Sequence, residues 1–321
     1  MTTEPSGWLP YENRTFSQQV MTDSWRNATP RFGEVGGDVN LPEQALLYDL
    51  EVKANGKLCS RIWQQEGSCV GAAGARSYTQ SMCGDKIHRN TGEEIKDLCP
   101  WPTWGIGRKI GGLNSRGAGS FGAAQAKAVE SWGMLPADDP RLPQPTNRDG
   151  WLVWSSKIEL DFSAPRYWPV PESELAPTAG NHQIAHVARI TTLDELWQAF
   201  AQGYGVTVAS MFGTKPRVRG GYLVGEWNTT WAHQMSLSGY LTIHRATSEL
   251  PAGRLIAVDN QWGPQAHVCP HLQQRGVLGS FWVTEATMKK ILGRRDTEVF
   301  AHGNTEDFPA REIDWDDLGM G

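Results

Sequence analysis

The sequence predicts an α+β fold. Helical spacing dominates before residue 135, antiparallel strand alternation dominates after residue 182, and a proline-rich stretch lies between them. That stretch, 136–181, holds eight of the 19 prolines and reads as an ordered crossing between two lobes. The predicted divisions are an extended N-terminal arm over 1–57, a main domain over 58–292 (first lobe 58–135, crossing 136–181, second lobe 182–292) and an acidic tail over 293–321.

Residues 1–57 are rich in Pro, Gly, Asn and polar side chains with little periodicity, which predicts an extended arm lying on the domain. Ser68 can cap a helix that runs through Ser77 to about Met82, and the small residues Gly71, Ala72, Ala73, Gly74 and Ala75 suit it to close burial. Residues 84–120 read as loop, with Pro100-Trp101-Pro102 and Gly111-Gly112 as breakers. A second helix is predicted from Phe121 to Trp132, where Ala124, Ala128, Val129 and Trp132 fall at helical spacing and Gly133 stops it. After the crossing, residues 186–190 are extended, Thr192 caps a helix to about Gln202, and residues 205–210 alternate as a strand. Further strands are predicted at 234–245, 254–259 and 279–284, with a short helix at 285–292. The acidic stretch from Glu306 to Gly321 reads as a solvated tail or a docking peptide.

Composition narrows the function classes. Hydrophobic residues make up 39% and charged residues 20%, the balance of an ordinary globular chain long enough for a sizeable core. A net charge of −5 gives no electrostatic reason to expect nucleic acid. No run of about 18 apolar residues exists to span a membrane, and Met1 to Pro10 lacks the apolar core of a secretion signal. The five cysteines, Cys59, Cys69, Cys83, Cys99 and Cys269, are odd in number and lack framework spacing, which favours reduced thiols in a cytosol-like compartment. The 15 tryptophans read as packing in a loop-rich fold.

One cysteine has a distinctive setting. Cys69 follows the turn Glu66-Gly67-Ser68 and opens the Ala/Gly-rich helix, where unpaired backbone N–H groups and the helix dipole favour a thiolate. His233 begins a strand-like run, Gln234 to Tyr240, that would hold an imidazole rigidly. Asn260 ends the buried strand pattern Leu255 to Asp259 and is followed by Trp262-Gly263. Nucleophile, base and base-orienting amide are thereby predicted in chain order, with Trp262 shielding the His233–Asn260 hydrogen bond and Asp259 facing the other way. The segment His267-Val268-Cys269-Pro270-His271 holds metal-ligating residue types, but no second pair of matching spacing exists, so neither metal nor other cofactor is expected.

Taken in order, Gly67-Ser68-Cys69 before its helix, His233 six residues before Gly239-Tyr240, and Asn260-Gln261-Trp262-Gly263 resemble the three signature segments of the papain-like cysteine peptidases. The resemblance spans about 58–292. It implies two lobes, one mainly helical carrying the cysteine and one an antiparallel barrel-like sheet carrying histidine and asparagine. It implies that Cys69 attacks a peptide carbonyl, that His233 moves the proton and that Asn260 orients His233. It further implies that Gly119 and Ser120 pair with the substrate main chain, with Trp262 close by. The family places an oxyanion-stabilising glutamine six residues before the cysteine, where this chain has Trp63; Gln64 and Gln65 are the candidates, and Gln64 is preferred.

The arm before Cys69 reads as too short and too poor in helical periodicity to be an inhibitory propeptide. That profile resembles propeptide-less members from bacteria and tailed bacteriophages, which implies a cytoplasmic or virion-associated setting. The expected partner is a peptide or protein substrate, and the arm and the acidic tail are the candidate docking sites for an assembly partner. Three activities fit the residues: a peptidase or amidase acting through a Cys69 acyl-enzyme, a weak or inactive structural module, and an acyltransferase using the same groups.

Overall fold

The small residues that open the helix at Cys69 let it sit at the centre of the molecule. The computed structural model describes residues 7–184, 186–303 and 308–318. Helix Cys69–Arg89 packs on one side against strands Gly205–Gly213 and Thr229–Ile243, and on the other against helices Trp101–Ile110 and Gly122–Ser131. It runs past Met82, because Cys83 and Gly84 are themselves buried, and it stops at Asn90 in the left-handed region.

The second half of the chain forms a nine-stranded sheet in the order His186–Arg189, Glu298–Gly303, Gly205–Gly213, Thr229–Ile243, Gly253–Asp259, Ser280–Thr284, Tyr222–Gly225, Arg217–Arg219, with Gln44–Leu46 added to Thr229–Ile243. Pairing is antiparallel except between Tyr222–Gly225 and Ser280–Thr284. The sheet keeps two free ends, and no barrel closes among the described residues. Gly239 explains part of the sequence pattern after His233. It lies at φ 109° where the register shifts between Leu237 and Tyr240, and a Cβ there would stand 1.9 Å from the Ala45 carbonyl oxygen. Two apolar clusters fill the molecule, one under the sheet around Leu237, Ile256 and Trp282, the other among the helices around Val70, Trp101, Trp104 and Val129.

The structure departs from the sequence reading at three places. The segment 1–57 is not an extended arm throughout, since it contains helices Phe16–Ala28 and Leu47–Asn55 and the sheet strand Gln44–Leu46. Residues 84–120 contain helix Trp101–Ile110, whose Pro102 stands in the first turn, where no backbone N–H is needed. The tail 293–321 supplies strand Glu298–Gly303 and then folds back. Phe308 packs on Phe32 and Tyr204, the Arg311 guanidinium lies 4.0 Å over the Tyr204 ring, and the Trp315 indole donates to the Ala201 carbonyl at 2.7 Å. The described part of the tail, 308–318, is therefore docked, with Arg311 fully buried; residues 304–307 and 319–321 lie outside the described residues.

Beneath the site, a buried charge network joins the two lobes. Arg76 on the central helix pairs with Glu51 from helix Leu47–Asn55 and, through Nε at 2.8 Å, with Asp259 at the end of strand Gly253–Asp259. Asp259 also accepts from Tyr48 (2.5 Å), Ser280 (2.6 Å) and Ser238 (3.0 Å). Burial alone would raise the Asp259 carboxyl, but the Arg76 and Arg61 guanidinium groups outweigh it and hold the acid well below the usual range. Asp259→Ala should destabilise the fold by about 3–5 kcal/mol, because Arg76 is left buried with half its partners. Urea unfolding of the variant checks this, and a loss under about 1 kcal/mol would contradict it.

Candidate active site

Cys69 is the first residue of the central helix and is completely buried. Its sulfur accepts the backbone N–H of Gln234 at 3.4 Å, so the thiol lies against the strand residue next to His233. The backbone N–H groups of Cys69 and Val70 also point at the sulfur, as expected for a helix start. His233 Nε2 lies 2.9 Å from Asn260 Oδ1 and so carries the ring proton. Its other nitrogen, Nδ1, is buried with no hydrogen-bond partner. Trp262 stacks on the imidazole with ring centroids 4.7 Å apart. It thus covers the imidazole, and it also packs edge-on against Trp231.

Two residues outside the sequence prediction complete the arrangement. Asn260 Nδ2 donates to His267 Nε2 at 2.8 Å, which fixes the amide so that Oδ1 must face His233. His267 was readable only as one of three spaced ligand types, and the structure turns that segment apart. Cys269 accepts from the Leu223 N–H, His271 stacks on Tyr222, and His267 alone enters the site. Glu159, in helix Ser156–Phe162, accepts the backbone N–H groups of Gln65 (2.8 Å) and Glu66 (3.1 Å) and the Ser68 hydroxyl (2.6 Å). It braces the loop that leads into the nucleophile, and burial pushes its carboxyl up to about 8 against those three donors. Gln64 sits in that loop, buried, with its side-chain amide donating to the Glu66 carbonyl at 2.9 Å.

The cleft is occupied by the chain's own N-terminal segment. The Gly7 N–H donates to the Cys69 sulfur, Ser120 N–H donates to the Gly7 carbonyl (2.8 Å), Trp8 N–H to the Ala232 carbonyl (3.2 Å), and Leu9 N–H to the Ser120 carbonyl (2.9 Å). Gly119 N–H donates to the Gly67 carbonyl at 2.8 Å, which holds the pairing edge against the nucleophile loop. Gly7 fits where nothing larger would, since a Cβ there would lie 2.0 Å from the Gly67 carbonyl oxygen. An N–H faces the sulfur, while the Gly7 carbonyl is turned to Ser120. No electrophilic carbon of the described segment is offered to the thiol. The arm, read from sequence as no inhibitory segment, thus covers the very atoms the sequence assigned to chemistry.

This cover changes the electrostatics. Burial raises the Cys69 thiol to about 12 although four backbone N–H groups favour the thiolate, and burial lowers His233 to about 4 although Asn260 opposes it. Thiol and imidazole both favour their neutral forms in this closed state, contrary to the thiolate expected from the helix start. Desolvation of a charge outweighs the helix N-terminus.

Comparison with solved structures decides the architecture. The chain is similar to xylellain, a cysteine protease from Xylella fastidiosa, with a TM-score of 0.54 and 17% identity over 85% of this chain and 92% of that one. It has the papain-like cysteine peptidase fold. The bromelain protease from Ananas comosus superposes with a TM-score of 0.51 at 12% identity, covering 83% of this chain and all of that one. A procathepsin B from Trypanosoma congolense gives 0.50 at 10% identity, over 94% of this chain and 87% of that one. No protein-family model matches the sequence, and no curated protein does. Among the described residues no helix is long and apolar enough to cross a membrane.

His233, His267 and His302 are each buried and pushed down to about 4, in every case by burial first. Since an unfolded histidine titrates near 6.5, the unfolded chain binds the extra protons. Stability is therefore complete above about pH 6.5 and is lost as pH falls toward 4, on the order of 3 kcal/mol per histidine. Thermal unfolding followed from pH 7 to pH 4.5 should show a falling midpoint, with a shallower fall in His302→Gln. A flat profile would contradict the burial of these rings.

Proposed function

We propose that the protein is a cysteine peptidase held latent by its own N-terminal segment. The observation that carries this reading is His233 Nδ1, a buried nitrogen without a partner on a ring whose other nitrogen is anchored to Asn260, on the strand whose next residue, Gln234, donates to a thiol at a helix start. With the segment lifted, water reaches the pair and the thiol proton passes to His233 Nδ1. The thiolate attacks the peptide carbonyl carbon. The negative oxygen that results meets the Cys69 backbone N–H and the Gln64 side-chain amide, which must turn from the Glu66 carbonyl to reach it. The imidazolium then gives its proton to the leaving amine, and the neutral ring activates the water that releases the acyl group. Acyl transfer would follow the same path with another acceptor in place of that water.

A second reading has one observation in its favour. The neutral, covered Cys69 also suits a module whose cleft permanently holds its own segment and performs no chemistry. Reaction with iodoacetamide, followed by intact mass, separates the two. Gly7→Ala places a methyl against the Gly67 carbonyl and should expel the segment while leaving the chain whole. In that variant Cys69 should label at least about ten-fold faster than in the native chain, as for a thiol whose pKa falls toward neutrality, and the label should vanish in Cys69→Ser. Labelling no faster than that of an unstructured peptide cysteine would remove the peptidase reading.

Gln64 can be tested apart from the nucleophile. In the Gly7→Ala background, Gln64→Ala should reduce peptide turnover roughly 100-fold, the usual loss for one oxyanion donor, with the rate of Cys69 alkylation unchanged. Alkylation has no oxyanion to stabilise. Equal loss in both assays would mean that Gln64 supports the loop and not the transition state.

A further inference from the structure

Two cysteines that the proposed chemistry does not use stand side by side in the core. The Cys59 and Cys83 sulfurs are 3.8 Å apart, buried in the same apolar cluster as Leu50, Ala54 and Ile95, and both thiols are free. Cys83 belongs to the helix that Cys69 opens, while Cys59 lies in the connection between helix Leu47–Asn55 and strand Arg61–Trp63. Both backbones are held in place. The Cys59 N–H donates to Glu51 Oε2 at 3.0 Å, and Cys83 lies inside an unbroken helix. What separates the sulfurs from bonding distance is an approach of about 1.8 Å, which falls to the two side chains.

The two thiols differ in access. Cys59 accepts from the Asn55 side-chain amide at 3.9 Å, and Asn55 lines a cavity of about 350 Å³ together with Lys57, Ile95 and Asp97. A donor on the sulfur favours its thiolate, and the cavity brings a small reagent to the residue that covers it. Cys83 is completely buried, and its contact with Cys59, followed by burial, pushes its thiol well above the usual range. Cys59 is therefore the thiol placed to react first, and Cys83 the one placed to resolve. Cys69 and Cys269 each accept a backbone N–H instead, from Gln234 and Leu223.

We propose that Cys59 and Cys83 form a reversible redox modification site, a dithiol that a low-molecular-weight disulfide converts to an internal disulfide. In the first step the Cys59 thiolate attacks one sulfur of the reagent, which forms a mixed disulfide and releases one small thiolate. Cys83 then gives up its proton and attacks the Cys59 sulfur; the internal bond forms, the mixed bond breaks, and the second small thiol leaves with that proton. Two protein thiols are oxidised and one reagent disulfide is reduced to two thiols. The new bond closes a loop over residues 59–83 that contains Gln64, the turn braced by Glu159, and Cys69 at the helix start. It ties strand Arg61–Trp63 to the nucleophile's own helix and leaves Cys69 a free thiol. Because the bond restricts the unfolded chain, the oxidised form is the more stable one.

The test needs no turnover, so its outcome is independent of the peptidase reading. The full native chain is equilibrated with oxidised glutathione and alkylated, its free thiols are counted after unfolding, and linked residues are mapped by peptide mass. Free thiols should fall by two from the five of the reduced chain, with Cys59 joined to Cys83. The midpoint of thermal unfolding should rise by roughly 4 °C, the effect of closing such a loop in a chain of this size. Dithiothreitol should restore both values. Cys59→Ala and Cys83→Ala should each lose the link and the rise, whereas Cys99→Ala and Cys69→Ser should keep both. Five thiols remaining in the native chain, a glutathione adduct on Cys59 that never resolves, or a link between any other pair overturns the proposal. The correct link without a rise in the midpoint overturns the stabilising effect assigned to it.

Discussion

The buried pair of Arg76 and Asp259 holds the two halves of the site in register. Arg76 stands two helical turns beyond Cys69 on the central helix, and Asp259 immediately precedes Asn260. One end of the ion pair therefore sets where the nucleophile helix lies, and the other sets where the strand delivers the amide that aims the base. Glu51 and Tyr48 bring the helix Leu47–Asn55 into the same cluster, and Ser280 adds the neighbouring strand. Asp259 uses its lone pairs on Arg76, Tyr48, Ser280 and Ser238, while Arg76 Nη1 is buried without a partner, so the carboxylate side fixes the geometry of the pair.

Closure of the cleft acts on Cys69 through desolvation. The helix start, the Gln234 N–H and the Gly7 N–H all favour a thiolate, yet burial raises the thiol to about 12, and burial lowers His233 to about 4. Cys69 lies against Gln234, the residue after His233, and His233 Nδ1 has no hydrogen-bond partner. What the covering residues withhold from the buried sulfur is solvent. Glu159 holds the loop before Cys69 through two backbone N–H groups, and His267 holds the Asn260 amide, so both keep their positions without help from the covering residues.

Much of this was legible in the sequence because the signals were local. Cys69, His233 and Asn260 each carry their context within a few residues: a turn and small residues, an extended run ending in Gly239, a buried strand ending in an amide. The helix Phe16–Ala28 carried no apolar stripe, since Phe16 is 80% and Val20 52% exposed, and its only local mark was the capping pair Thr15 and Gln18. Glu159, His267 and Glu298 act on partners brought near by the fold alone; Glu159 lies 91 residues from the Ser68 hydroxyl it accepts. Gly7 was the least legible. Its function follows from a single close approach to Gly67, and a lone glycine in a polar stretch carries no sign of that.

The closed cleft and the charged catalytic pair exclude each other, and the exclusion must be reciprocal. Each unit by which the covering segment raises Cys69 or lowers His233 is about 1.4 kcal/mol by which forming the thiolate–imidazolium pair weakens the segment's hold. The segment itself supplies the opposing term, with three backbone hydrogen bonds to the walls of the cleft and the Trp8 indole and Arg14 guanidinium on Glu298.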